Sequence, residues 1–117
     1  MKAREILKIL NAELLTGEEN LDMEFKAACG SDLMSDVMAY VKENVVLLTG
    51  LVNPQVVRTA EMMDIKLIVF IRGKRPEDKI IEMAKEKGIA VMTTNDPMFI
   101  ACGKLYSAGI TERGVWD

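Results

Sequence analysis

The chain has 117 residues, of which 50% are hydrophobic and 28% charged, and its formal net charge at pH 7 is −3. This composition is typical of a single globular domain spanning residues 1–117, and the acidic balance argues against nucleic-acid binding, which depends on clustered Lys and Arg. The sequence contains no histidine, which excludes Ser/His and Cys/His catalysis and histidine zinc sites.

The first elements in chain order are an amphipathic helix at residues 3–10 and an edge strand at Glu13–Thr16. Charged residues interrupt the apolar ones at the start of the chain, and no later run approaches eighteen apolar residues, so we predict neither a signal peptide nor a membrane span. The two cysteines, Cys29 and Cys102, form no C-x-x-C motif, which is typical of reduced thiols. We therefore expect a cytoplasmic protein.

Four strand–helix units follow, with a spacing of 21–22 residues. Each of the three prolines comes after an apolar run, and proline favours the first position of a helix. The residues before the prolines, and the residue one period earlier, are the predicted helix N-caps: Asp32, Asn53, Arg75 and Asp96. The predicted strands at residues 25–29, 45–49, 66–71 and 90–93 include nearly continuous apolar runs, which is typical of parallel strands covered on both faces. The predicted fold is an α/β three-layer sandwich with a mostly parallel sheet.

The last helix, predicted at residues 97–108, carries many apolar residues and few charges. A monomer of this size cannot bury all of that surface, so we predict that the helix forms a homodimer interface. Docking onto a larger enzyme complex is the alternative for this surface. Residues 110–117 are predicted to be a loose tail.

The loops after parallel strands emerge at one edge of a sheet, where open α/β folds bind ligands. Cations that follow the third strand of the four strand–helix units favour a phosphate or carboxylate there. The two acids of the loops, Asp32 and Asp96, count against a multiply charged anion. The predicted ligand-binding residues are Ser31, Asp32, Thr49, Gly50, Asn53, Arg72, Gly73, Lys74, Thr93, Thr94 and Asp96. The alternative is that the hydroxyls and acids only cap helices and the cations lie in solvent.

Other kinds of site receive less support from the sequence. Cys29 is a reactive thiol only if a helix N-terminus lowers its pKa, and an inert buried thiol is the simpler interpretation. The nine methionines indicate packing rather than a metal site, and we predict no cofactor. Neither a P-loop nor a G-x-G-x-x-G motif occurs, which argues against a kinase or a dehydrogenase.

Three segments resemble the strand–loop segments of DRTGG domains: Val-Leu-Leu-Thr-Gly at 46–50, Ile-Arg-Gly-Lys-Arg-Pro at 71–76 and Thr-Thr-Asn-Asp at 93–96. The resemblance covers residues 27–109, and the family's Gly-Asp-Arg segment falls on Gly50, Leu51 and Val52. It implies a fold like the N-terminal domain of HPr kinase. DRTGG domains occur in some phosphate acetyltransferases and between CBS modules of some pyrophosphatases, which implies a regulatory or dimerising module.

We therefore predict a non-catalytic, homodimeric regulatory or scaffolding module that binds a small anionic metabolite or nucleotide at the strand-to-helix loops. The alternative is an enzyme or enzyme subunit acting on a phosphorylated or acyl-phosphate substrate. In that case Asp32 or Asp96 would hold Mg²⁺, and Arg72 or Lys74 would orient the phosphate.

Overall fold

A five-stranded sheet forms the middle layer of the computed structural model, which describes residues 1–42 and 44–114. The strands within these ranges are β1 (Glu13–Thr16), β2 (Ala28–Gly30), β3 (Val46–Thr49), β4 (Leu67–Phe70) and β5 (Ala90–Thr93). Their order across the sheet is β1-β5-β4-β3-β2, in which β2, β3, β4 and β5 are parallel and β1 is antiparallel to β5. The predicted, mostly parallel sheet with Glu13–Thr16 at its edge is confirmed.

The two central strands are buried along their whole length. Every residue of β3 and β4 is buried, and the strands pair in register with Val46 beside Leu67 and Thr49 beside Phe70. A strand that is covered on both faces carries apolar side chains on both, which explains the continuous apolar runs of the sequence.

Helices cover the sheet on both faces, which confirms the three-layer sandwich. They are α1 (Ala3–Ile9), α2 (Met34–Tyr40), α3 (Pro54–Met62), α4 (Asp78–Glu86) and α5 (Met98–Ala108). One core cluster joins α2, α3 and α4 to the sheet, with Val37, Val56 and Ile80 among its buried residues. The other cluster joins α1 and α5 to the opposite face through Ile6 and Leu105. No helix in the described part of the chain is long and apolar enough to cross a membrane.

The predicted helix caps are correct at one of four positions. Asn53 caps α3, because its Oδ1 accepts a hydrogen bond of 3.0 Å from the Gln55 backbone N–H, and Pro54 is the first helical residue. Asp32 is not a cap, since the residue that precedes α2 is Leu33.

Arg75 and Asp96 are not caps either, because α4 and α5 begin later than their prolines predict. The residue that precedes α4 is Glu77, and Pro97 itself precedes α5. The side chain of Arg75 instead contacts Glu13 at 2.9 Å, and that of Asp96 contacts Lys104 at 2.7 Å. The regular spacing therefore belongs to the prolines and not to the starts of the helices.

Residues 110–114, predicted to belong to a loose tail, pack against the edge of the sheet at β2. The Glu112 backbone N–H donates a hydrogen bond of 3.2 Å to the Lys26 carbonyl, and the Lys42 N–H donates one of 2.7 Å to the Gly114 carbonyl. Ile110 is buried in the core with α5. The rest of the predicted tail, residues 115–117, lies outside the described residues.

Candidate ligand-binding site

The loops after the four parallel strands meet at one edge of the sheet, as predicted. The carboxylate of Asp32, after β2, accepts hydrogen bonds from the Gly50 N–H at 2.7 Å and the Thr49 hydroxyl at 3.1 Å, both at the end of β3. The loop after β4 in turn donates from the Arg72 N–H to the Asp96 carbonyl at 2.8 Å. Backbone and side-chain bonds thus join neighbouring loops in pairs along this edge.

Arg72 lies in a tight turn immediately after β4. The Lys74 N–H donates to the Ile71 carbonyl at 3.0 Å, and the two central residues have positive φ, +57° at Arg72 and +69° at Gly73. Positive φ at both positions defines a type I′ turn. Such a φ costs an ordinary residue roughly 1–2 kcal/mol but costs glycine little. The surrounding loops therefore hold Arg72 in a conformation that its own backbone disfavours, a kind of strain that is common at functional sites.

The guanidinium of Arg72 lies over Gly50. Its Nη2 is 3.0 Å from the point that a Cβ would occupy at residue 50, and Asp32 Oδ1 is 3.6 Å from the same point. Because residue 50 is a glycine, the guanidinium has room to lie at the end of β3. The side chains of Arg72 and Lys74 are exposed, and neither forms a hydrogen bond or an ion pair with another described residue.

The two acids of the predicted site differ in how their charge is balanced. Asp96 forms an ion pair with Lys104 of α5. Asp32 has no cationic partner among the described residues, and its two hydrogen bonds both go to Oδ1. The objection that two acids weaken an anion site therefore applies to Asp32 alone.

Besides Asp32, five of the predicted ligand-binding residues use their side chains in hydrogen bonds to the backbone. Thr94 is buried and donates to the Leu10 carbonyl at 2.7 Å, and the buried Thr49 hydroxyl accepts from the Leu51 N–H at 3.1 Å. The side chains of Ser31, Asn53 and Thr93 also form hydrogen bonds with backbone groups. For these residues the structure supports the alternative that the sequence left open, in which hydroxyls and amides stabilise loops and helix ends.

Asn95 and Lys104 belong to this edge but are absent from the predicted set. Asn95 is exposed, and its Oδ1 is 3.2 Å from the point that a Cβ would occupy at Gly73. Asn95 lies inside the Thr-Thr-Asn-Asp segment, so the sequence contained a signal for it. No pattern in the sequence indicates the contact of Lys104 with Asp96, because this contact depends on the residue at which α5 begins.

The structure supports an inert thiol at Cys29. Burial, and to a smaller extent the neighbouring Cys102 and Asp36, raises the pKa of Cys29 above its ordinary value, and burial raises the pKa of Cys102. A raised pKa leaves little thiolate at neutral pH, and the thiolate is the reactive form. The described residues contain no group of three or more Cys, Asp or Glu arranged to hold a metal ion.

A family model of the DRTGG domain matches residues 5–105 of the sequence. The chain belongs to the DRTGG domain family. The three segments of the sequence that carry this resemblance are the ends of β3, β4 and β5 with their loops, which lie side by side at the edge described above. In this DRTGG domain the match also includes part of α1 and all of β1, which precede the range of residues 27–109 recognised in the sequence.

The DRTGG domain has a similar fold to a crystal structure of the CBS and DRTGG domains of the regulatory region of Clostridium perfringens pyrophosphatase, complexed with its activator diadenosine tetraphosphate. The TM-score is 0.70 and the sequence identity 24%, over 90% of this chain and 44% of the other. This chain therefore spans less than half the length of that structure. A search of curated proteins found no match.

Proposed function

We propose that this DRTGG domain is a non-catalytic regulatory module that binds a small anionic metabolite or nucleotide at the edge of the sheet. The observation that carries the proposal is the position of Arg72, which is held over Gly50 in a left-handed turn with its guanidinium unpaired among the described residues. We refer to Arg72, Lys74, Gly50 and Asp32 as the Arg72 site.

The chemistry of the Arg72 site favours an anionic ligand such as a phosphate. A guanidinium presents several N–H donors in a planar fork that matches the oxygens of phosphate or carboxylate. Lys74, two residues further along the chain, adds a second cation that is unpaired among the described residues, and the ion pair with Lys104 compensates the charge of Asp96. Two cations against the one carboxylate of Asp32 leave the site with an excess of positive charge, in contrast to the acidic chain as a whole.

The structural neighbour supports a nucleotide as the ligand class. That regulatory region was crystallised with diadenosine tetraphosphate, a ligand rich in phosphate. Its other domains account for more than half of its length. The proposal for this chain therefore depends on its own Arg72 site, and the neighbour serves to choose the first ligands to test.

Thermal unfolding with candidate ligands tests the proposal. We expect ADP, ATP or diadenosine tetraphosphate to raise the Tm, because a ligand at 100 times its Kd stabilises a protein by about 2.7 kcal/mol, which is several degrees for a domain of this size. Arg72→Ala should abolish the shift. Arg58→Ala is the matched control, since it removes an exposed arginine from α3. Equal shifts in both variants, or none in the wild type, would reject the site.

A homodimer through α5 is the second part of the proposal. Three large side chains on one side of α5 are exposed, namely Phe99 at 84%, Tyr106 at 65% and Ile100 at 42% of their surface. Gly103 and Ser107 lie between them on the same side of the helix. Two small residues thus lie among three large ones on an apolar face that the described residues do not cover.

The order of these residues makes the face complementary to itself. In an antiparallel pairing of two α5 helices with the two-fold axis at Gly103, Phe99 faces Ser107 of the second copy, and Ile100 faces Tyr106 of the second copy. A two-fold interface requires this reciprocity, in which the same patch serves both subunits. Glycine at the axis allows the two helices to approach closely.

Sedimentation tests the dimer at tens of micromolar protein, a range in which moderately tight dimers persist. We expect a dimer for the wild type and a monomer for Phe99→Glu. Met62→Glu, which alters an exposed apolar residue of α3, is the control and should remain dimeric. A monomeric wild type would reject the self-pairing and favour the alternative that α5 docks onto a larger enzyme complex.

The enzyme alternative has less support from the described residues. Asp96, one of the two proposed Mg²⁺ ligands, is already paired with Lys104, and Asp32 is the other. An Mg²⁺-dependent release of phosphate that is lost in Asp96→Asn would establish this alternative. The cytoplasmic location remains a prediction from the sequence.

A further inference from the structure

Asp32 is anchored in the Arg72 site by only one of its two carboxylate oxygens. Oδ1 accepts both hydrogen bonds from the end of β3, at 2.7 Å from the Gly50 N–H and 3.1 Å from the Thr49 hydroxyl. Oδ2 receives no hydrogen bond from any residue that the structure describes. Two donors on one oxygen fix the direction of the carboxylate, so Oδ2 is a positioned acceptor without a partner in the part of the chain that the structure describes.

The Asp32 carboxylate lies near the cation without pairing with it. Arg72 Nη2 and Asp32 Oδ1 flank the same point beside Gly50, at 3.0 and 3.6 Å, but no ion pair joins the two side chains. A ligand that is only an anion would gain from Arg72 and be repelled by Asp32. A ligand that carries both an anionic group and neutral O–H donors satisfies both side chains.

We infer that the Arg72 site takes a ribonucleotide, with its phosphates on Arg72 and Lys74 and its ribose 2′- and 3′-hydroxyls donating to Oδ2 of Asp32. The inference rests on the proposed function and specifies its ligand. An acidic side chain that accepts from ribose hydroxyls beside a phosphate site is an established way for α/β folds to recognise nucleotides. A zwitterionic amino acid would also pair with both charges, but it would leave the second cation unmatched.

Calorimetric titration with ADP and 2′,3′-dideoxy-ADP tests the inference, in the presence of EDTA so that no metal ion bridges Asp32 and phosphate. For the wild type we expect the dideoxy nucleotide to bind at least about tenfold more weakly, because it lacks both donors to a charged acceptor. This comparison needs no variant and is therefore independent of any effect of mutation on folding.

Two variants locate the discrimination. Asp32→Asn should bind ADP more weakly and reduce the ratio of the two affinities to less than about threefold, while pyrophosphate binds as well as before or better. Arg72→Ala should weaken both nucleotides. Equal binding of the two nucleotides by the wild type, with both lost in Arg72→Ala, overturns the inference and leaves the proposed function standing. Binding of neither nucleotide nor pyrophosphate overturns both.

Discussion

At the scale of single residues, it was easier to predict which residues lie at the edge of the sheet than which partner each side chain contacts. The sequence identified Arg72, Gly50 and Lys74 as members of one edge, because loops after parallel strands must converge. It could not separate Thr94 from them, since a hydroxyl near a strand end can face solvent or turn inward. The choice depends on the Leu10 carbonyl, 84 residues away in the chain.

Two buried threonines provide a matched test of this hydrogen-bond assignment. Thr94→Val removes the hydrogen bond from the Thr94 hydroxyl to the Leu10 carbonyl. We expect the free energy of unfolding to fall by about 1–3 kcal/mol. Thr59→Val, in α3, should be neutral or stabilising, because the buried Thr59 hydroxyl has no partner in the described structure. Denaturant unfolding measures both, and equal losses would contradict the assignment.

Gly50→Ala tests whether glycine makes room for Arg72. A methyl group at residue 50 would lie 3.0 Å from Arg72 Nη2 and 3.3 Å from Ile71 Cδ1. The arginine head is the flexible end of a long side chain, so we expect it to move away with little loss of stability. Binding of ADP should then weaken about as much as in Arg72→Ala. Gly103→Ala, a position with open space around it, is the control and should bind as the wild type does.

At the scale of elements, the period of the prolines predicted the number and order of the strand–helix units but not the helix starts. Proline sets φ for a helix, yet it fits equally well just before the first turn. Asn53 differs from Arg75 and Asp96 because its short amide reaches the Gln55 N–H, whereas the other two side chains are drawn to Glu13 and Lys104. Arg75 thus pairs with β1, and Asp96 pairs with a residue inside α5, so neither side chain caps the helix that follows it.

The role of Asn53 as a cap, and not as a ligand-binding residue, is testable. Asn53→Ala should lower the free energy of unfolding by about 1 kcal/mol, because it leaves the Gln55 N–H at the start of α3 without an acceptor. Asn53→Asp should restore most of the loss. Affinity for ADP, measured on the folded variants, should remain unchanged, and a loss of affinity without a loss of stability would return Asn53 to the ligand-binding set.

The ion pair between β1 and the loop before α4 predicts a pH dependence. A hydrogen bond and the charge of Arg75 lower the pKa of Glu13 below its ordinary value. The contribution of this pair to stability is therefore present above the unfolded-state pKa and is lost as the pH falls through the lowered folded-state pKa. An NMR titration should show that Arg75→Ala returns the pKa of Glu13 toward its ordinary value, and an unchanged pKa would contradict the pairing.

At the scale of the whole molecule, the sheet was predictable because burial on both faces produces the continuous apolar runs of β3 and β4. The exposed apolar face of α5 was also predictable, because the helix carries more apolar residues than the two that it buries, Ala101 and Leu105. The packing of residues 110–114 against β2 was not, because it depends on single backbone bonds that involve Lys26 and Lys42. The apolar pattern of the sequence therefore predicts the layers of the fold, whereas individual hydrogen bonds determine how the segments at the edge of the sheet pack.

The most direct test of the Arg72 site is an NMR titration of the backbone amides with ADP. The account predicts that the largest shifts fall on the amides of Gly50, Arg72, Gly73 and Lys74, with a smaller group around Asp32. Shifts centred instead on the cleft of about 270 Å³ between β2 and α5, which Ala28, Tyr106 and Thr111 line, would place the ligand elsewhere. Shifts at that cleft, or none at all, would contradict the claim that this edge of the sheet is the binding site.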